Sequence, residues 1–297
     1  MLKAFQLIFR RKSSWRTRMM AFVSIVCMTY FMLMTLAMSS LAWYGILPNI
    51  FKNDLIRIHR HKLFIGYVFL NAIGNCVLCL TTNTSVKKHL KPENIKRLRK
   101  TDKECRFCKC LAPPRSHHCR LCETCILKRD HHCFFMTVCI GYHNQKYFIM
   151  YCFYMLIGTF YGMFLVVKYL KVFYGVTFYG PQTFIYIFID VVVKVFARPY
   201  HVDELYAFMV FMMFGSLSAG LFAAGLWFWQ MLITFAGQST FEASQKIWKY
   251  SSYRYSNFKD VFGKYWLITM LLPLPLPQCS DGIYSDNHRS LKTNKKM

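Results

Sequence analysis

Four apolar runs, at about residues 19–44, 63–81, 147–170 and 206–234, constrain this chain more than any other feature. Each reaches the roughly 20 residues that a helix needs to cross a bilayer. Hydrocarbon offers no water to unpaired N–H and C=O groups, so each run is read as a transmembrane helix. Composition agrees: 55% of the 297 residues are hydrophobic and 18% aromatic, more apolar than an ordinary soluble domain. A fifth stretch, "TFIYIFIDVVVKVF" at 183–196, is short and carries Asp190 and Lys194. That length and those charges predict an interfacial or re-entrant segment, not a span.

The formal charge is +25, and its distribution gives the topology. Thirty of the 38 Lys and Arg fall in residues 1–18, 82–146 and 235–297. The positive-inside rule places these three segments in the cytosol, which four spans allow and five do not. The organisation expected is a cytosolic N-terminus (1–18), spans one and two with a short luminal loop (19–81), a cytosolic cysteine-rich domain (82–146), spans three and four with a luminal or interfacial loop (147–234), and a cytosolic C-terminal region (235–297). The basic charge suits anionic lipid, and no motif supports nucleic acid as a partner. The first span reads as a signal anchor, because "AFQLIF" is too short for a signal-peptide core and runs into Arg10, Arg11 and Lys12. The sequon at Asn83 falls at the cytosolic face and is expected to stay unglycosylated.

Of 13 cysteines, Cys27, Cys76, Cys79 and Cys152 lie in apolar runs and Cys279 in the tail. The other eight lie in "CRFCKCLAPPRSHHCRLCETCILKRDHHCFFMTVC", residues 105–139. Thiols in a cytosolic loop stay reduced, so the cluster points to metal. Cys105/Cys108, Cys119/Cys122 and Cys122/Cys125 each have the two-residue gap that lets two thiolates reach one tetrahedral ion. Pro113 and Pro114 exclude a long helix. Apolar residues are sparse over 100–133, so metal must supply most of the folding energy. With Cys133 set aside, and counting His118 and His132, donors remain for two zinc ions rather than one ribbon with spare cysteines.

Together these residues resemble the DHHC protein S-acyltransferases, or palmitoyltransferases. The resemblance is carried by Cys105-x2-Cys108, Pro114-Arg115, His118-Cys119-x2-Cys122-x2-Cys125, Asp130-His131-His132-Cys133, Cys139, and Gly141-x2-Asn144-x3-Phe148. It extends to the four-span layout. The fold implied is an all-α polytopic membrane protein with four transmembrane helices and a cytosolic zinc-binding loop between spans two and three. The resemblance implies two structural zinc ions in interleaved sites, one on Cys105, Cys108, His118 and Cys125, the other on Cys119, Cys122, His132 and Cys139. Cys110 and His117 are left over.

A metal-bound imidazole has given up the lone pair that a base needs. With His132 on zinc, His131 is free for chemistry, as in the family. Cys133 is then the nucleophile, His131 the base, and Asp130 the group that orients the imidazole. The implied reaction takes a long-chain acyl group from palmitoyl-CoA onto Cys133, then onto a membrane-proximal cysteine of a substrate protein. Lys128 and Arg129 are expected to favour the thiolate or attract the phosphates of coenzyme A. Gly158 and Gly162 of span three suit close helix packing, or leave room for the deep end of an acyl chain.

After span four, "QSTFEASQK" (238–246) resembles the family's Thr-Thr-x-Glu motif, with Ser239 first and Thr240 and Glu242 intact. Ser239 or Thr240 also suits a helix N-cap. Asn257, in "NFKDVFG", is expected to satisfy backbone groups of a compact C-terminal segment. Three features depart from the family: Phe135 stands for its tryptophan, Val138 for its asparagine, and "TTNTSVKKH" for an Asp-Pro-Gly element. Those departures would suit a zinc-dependent membrane scaffold, whereas the intact Asp130-His131-x-Cys133 set favours an enzyme. A transporter would carry charges inside its spans, and Lys168 stands nearly alone. The resemblance implies residence in the Golgi or endoplasmic reticulum; "KTNKKM" matches a dilysine signal only in part.

Overall fold

A computed structural model of the protein describes residues 15–90, 104–196 and 203–283. The first fourteen residues and the "KTNKKM" tail lie outside them. Four long helices dominate: α1 (Trp15–Ile50), α2 (Leu55–Thr81), α3 (Gln145–Tyr174) and α5 (Glu204–Phe235). All four are long and apolar enough to cross a membrane, and the chain is a multi-pass integral membrane protein. α1 overruns its apolar run at both ends. Its last turns include a π-helical stretch, Leu41–Ile46, and then Leu47–Ile50, which contains Pro48. The fifth stretch forms α4 (Gln182–Phe196), 15 residues long. At 1.5 Å per residue it is about 22 Å long, short of a ~30 Å hydrocarbon core. Its Lys194 and Asp190 pair at 2.8 Å along one face.

The chain divides into two compact units. One comprises residues 33–70 and 152–225. Its core is built on Ile46, Leu47, Leu165, Val166, Leu170 and Met213, all fully buried. A Cβ at Gly162 would lie 2.9 Å from Met38 Cε, and one at Gly158 would lie 3.2 Å from Val68 Cγ1. A side chain of a neighbouring helix stands close to each glycine, as close helix packing requires.

The other unit, among the described residues, comprises 15–32, 71–90, 104–151 and 226–283. Its cysteine-rich segment, between α2 and α3, forms three antiparallel two-stranded hairpins: β1 (Glu104–Cys105) with β2 (Cys110–Leu111), β3 (His117–Cys119) with β4 (Thr124–Ile126), and β5 (His131–Cys133) with β6 (Val138–Ile140). The segment that replaces the family's Asp-Pro-Gly lies against the second hairpin. Leu127 N donates to Thr84 O at 3.0 Å, and Ser85 bridges to Ile126. Gly141 follows β6, where a Cβ would meet Ile126, the Leu127 carbonyl and Thr84, all within 2.8 Å. Asn144 locks this junction: its Oδ1 accepts from Gly141 N, and its Nδ2 donates to the carbonyls of Cys139 and Cys79.

Beyond α5 come α6 (Thr240–Ser244), α7 (Arg254–Phe262) and α8 (Trp266–Leu271). Asn257 acts as read from the sequence. Its Nδ2 donates to the carbonyls of Phe235 and Ser252, and its Oδ1 accepts from Ser252 N. The chain after α8 returns to the hairpins, where Gln278 Nε2 donates to Tyr142 O at 2.8 Å.

Candidate active site and paired metal-binding hairpins

The hairpins repeat with a period of 14 residues. Cys105, Cys119 and Cys133 each end a first strand, opposite Cys110, Thr124 and Val138. Lys109, Glu123 and Thr137, at the matching turn position, all take positive φ, 48°, 51° and 54°. In the first two hairpins the turn adds a second thiol, Cys108 or Cys122, whose N–H donates to the sulfur of Cys105 or Cys119 at 3.4 Å. Each Cys-x2-Cys turn then meets a His-Cys pair from the hairpin that follows. His118 lies opposite Cys125, and His132 lies opposite Cys139.

The result is two donor groups, Cys105-Cys108-His118-Cys125 and Cys119-Cys122-His132-Cys139, with each group's donor atoms all within 4.8 Å of one another. His118 Nδ1 lies 3.2 Å from Cys108 Sγ and 3.7 Å from Cys105 Sγ. His132 Nδ1 lies 3.4–3.7 Å from the sulfurs of Cys119, Cys122 and Cys139. A zinc tetrahedron with Zn–S near 2.3 Å and Zn–N near 2.0 Å has an S···N edge of about 3.5 Å. The two groups therefore fit two zinc ions, and they are the groups the family resemblance implied.

The third hairpin keeps the cysteine but lacks the second thiol, since Met136 stands where Cys108 and Cys122 stand. Cys133 thus occupies a ligand position with no metal group to join, and it is buried, 3% exposed. His131, two residues before it on the same strand, lies on the same face of that strand. On the other side His131 Nδ1 meets Asp130 Oδ2 at 2.7 Å. Asp130 is 4% exposed and accepts three further hydrogen bonds: from Gln230 Nε2 at 2.7 Å, from Thr240 Oγ1 at 3.1 Å, and from Thr240 N. Burial opposes ionisation of Asp130, but its bond to His131, the charge there and the donors from Thr240 and Gln230 hold the carboxyl below its usual range. Burial likewise pulls His131 down. The bonds and charges of Asp130 and Cys133 outweigh it, and its pKa is held up at about 9. A thiol, an imidazole and a fixed carboxylate in one row can move a proton off sulfur and keep it.

The comparisons with known proteins agree with this geometry. The family described as DHHC palmitoyltransferase matches residues 98–247, half the chain and all of the hairpins. The chain belongs to that family. The curated palmitoyltransferase ZDHHC22 of Danio rerio is 27% identical over 289 residues, 90% of this chain and 96% of the relative. The mouse and human proteins of the same name are each 26% identical, over 85% of this chain and 93% of theirs. The enzyme class of this DHHC protein is protein S-palmitoyltransferase.

In this palmitoyltransferase the carboxylate of Asp130 is held from the far end of the chain. Ser239 caps α6: its Oγ accepts from Glu242 N, and Glu242 Oε2 accepts from Ser239 N at 2.8 Å, a reciprocal capping box. The cap reading therefore holds for Ser239, while Thr240 turns to Asp130. Glu242 also receives Arg115 in a two-pronged pair, Nε to Oε1 at 2.7 Å and Nη2 to Oε2 at 2.5 Å. Arg115 Nη2 further donates to Gly237 O. Neither Arg115 as a partner of Glu242 nor Gln230 as a partner of Asp130 is visible in sequence spacing. The one signal is a glutamine at the end of an apolar span, where a buried amide must find partners.

One expectation is corrected. Lys128 is buried, and its ammonium faces Asp260 at 3.4 Å, so it is not presented to coenzyme A or to Cys133. The Arg129 guanidinium lies near the thiols of Cys139 and Cys119. Of the family departures, Phe135 packs edge-to-face on Phe31 at 5.2 Å, and Val138 sits opposite Cys133 in the hairpin.

Glu242→Gln is expected to cost about 3–5 kcal/mol of stability, because it leaves the Arg115 charge buried without its carboxylate. Thermal unfolding of the purified protein in detergent checks this. A shift no larger than that of an exposed Glu→Gln control would show that the pair holds nothing.

Proposed function

We propose that the protein transfers a long-chain acyl group, palmitoyl in the first instance, from acyl-CoA to cysteines of membrane-associated proteins through an acyl-Cys133 intermediate. The single observation that carries this is the row Cys133–His131–Asp130, closed by Gln230 and Thr240 and kept clear of both metal groups. The metal-binding hairpins act as a frame: His132 fixes the strand on which its neighbour His131 faces Cys133.

In the first step His131 holds the Cys133 proton, and the thiolate attacks the thioester carbonyl. The Cys133 S–acyl bond forms, the acyl–S bond to coenzyme A breaks, and the proton passes to the departing CoA thiolate. In the second step His131 takes the proton of an incoming cysteine, whose sulfur removes the acyl group. Cys133 leaves as thiolate and the proton returns to it. Both steps exchange one thioester for another, so positioning counts for more than driving force. Burial of each CH₂ is worth about 0.8 kcal/mol, so a membrane-embedded enzyme suits a palmitoyl tail.

The charge distribution supports a topology with both termini and the hairpins in the cytosol, where acyl-CoA is met. Residence in the Golgi or endoplasmic reticulum follows the family resemblance. The test is incubation of the purified protein with a labelled palmitoyl-CoA analogue. Label released by neutral hydroxylamine and mapped by mass spectrometry to the peptide containing Cys133 is the expected result. Label on Cys110, Cys279 or a span cysteine instead would refute the assignment.

A further inference from the structure

Cys110 is the one thiol of the cysteine-rich segment that neither metal group nor the Asp130–His131–Cys133 row uses. It is not remote from metal chemistry. It lies directly opposite Cys105 in the first hairpin, with the thiols of Cys108 and Cys125 near enough to act on its ionisation. It therefore adjoins the first group at Cys105. Directly opposed residues of an antiparallel pair have Cβ atoms about 4.5–5.5 Å apart, so rotation of side chains, without backbone rearrangement, exchanges one sulfur for the other. The 14-residue repeat shows that this is peculiar to the first hairpin. The equivalent position is Thr124 in the second, opposite Cys119, and Val138 in the third, opposite Cys133. His117, the other donor left over, neighbours His118 on a strand and so points to the opposite face, with its ring 4.2 Å from that of Phe241.

We propose that Cys110 is a reserve ligand of the first zinc group, replacing Cys105 when that thiol is lost. The substitution restores three thiolates and one imidazole around an ion that imposes no demand beyond a tetrahedron of such donors. The first site then tolerates loss of a ligand and the second does not. That asymmetry matters because metal binding supplies folding free energy to this segment.

The test is zinc content of the full-length protein purified in detergent, by elemental mass spectrometry. Wild type, Cys110→Ser and Cys105→Ser are each expected to hold about two ions per chain. Cys105→Ser/Cys110→Ser, and Cys119→Ser in the second group, are each expected to hold about one. Zinc in Cys105→Ser equal to that in the double variant overturns the proposal. An ion missing from Cys110→Ser alone overturns it too, by making Cys110 an essential donor. If Cys105→Ser fails to fold, zinc loss to a chelator decides between wild type and Cys110→Ser, both of which keep all eight primary ligands. The reserve thiol should slow loss of one of the two ions about tenfold, and equal rates refute it.

Discussion

Cys133→Ser is expected to abolish hydroxylamine-labile labelling by the palmitoyl-CoA analogue and to lower acyl transfer by on the order of 10⁴-fold or more, while leaving the zinc content unchanged. The reason lies in the hairpin repeat. Cys105, Cys119 and Cys133 occupy one structural position three times over, but only the first two have a second thiol three residues on. The same substitution therefore has opposite signatures along the segment. At Cys119 it removes a zinc donor and with it folding energy. At Cys133 it removes the proposed nucleophile and no zinc donor, because this sulfur belongs to neither donor group. A serine hydroxyl at that place cannot supply a thiolate, and an ester formed on it would resist neutral hydroxylamine. Loss of zinc in Cys133→Ser would mean that the thiol is a ligand after all.

The four spans were legible because bilayer thickness sets a length that composition alone meets, and α4 was legible as too short for the same reason. The eight zinc donors were legible because turn geometry fixes Cys-x2-Cys spacing locally, and the family resemblance then interleaved them. What escaped was whatever depends on residues far apart in sequence. Arg115 and Glu242, 127 positions apart, and Asp130 and Gln230, 100 apart, carry no spacing rule. Lys128 looked available because charged residues usually are, and nothing local reveals Asp260 against it. The 14-residue hairpin period was present in the sequence, in Cys105, Cys119 and Cys133. It is masked because the third copy has exchanged its second thiol for Met136.

Asp130→Asn is expected to lower acyl-enzyme formation at pH 7 by on the order of 10²–10⁴-fold, with both zinc ions retained. The carboxylate accepts from four donors, one on Oδ1 and three on Oδ2. An amide in its place must turn its NH₂ toward at least one of them, so Thr240 or His131 loses its acceptor. The effect on pH dependence has a definite sign. His131 stands at about 9 in the folded protein because Asp130 and Cys133 outweigh the opposing effect of burial. A folded pKa above the ordinary 6.5 contributes stability that is complete below pH 6.5 and is lost as pH rises through 9. The span of that loss is about 3 kcal/mol. Without the carboxylate, burial dominates and the imidazole is neutral at pH 7. The variant should therefore lack the decline in stability that the wild type shows between pH 6.5 and 9. Its Cys133 should also react with iodoacetamide more slowly at pH 7, the gap closing above pH 9, where the wild-type imidazolium is itself gone. Equal alkylation rates at pH 7 would show that Asp130 only braces the fold. A slowed rate that Asp130→Glu partly restores would tie the carboxylate to the proton on His131.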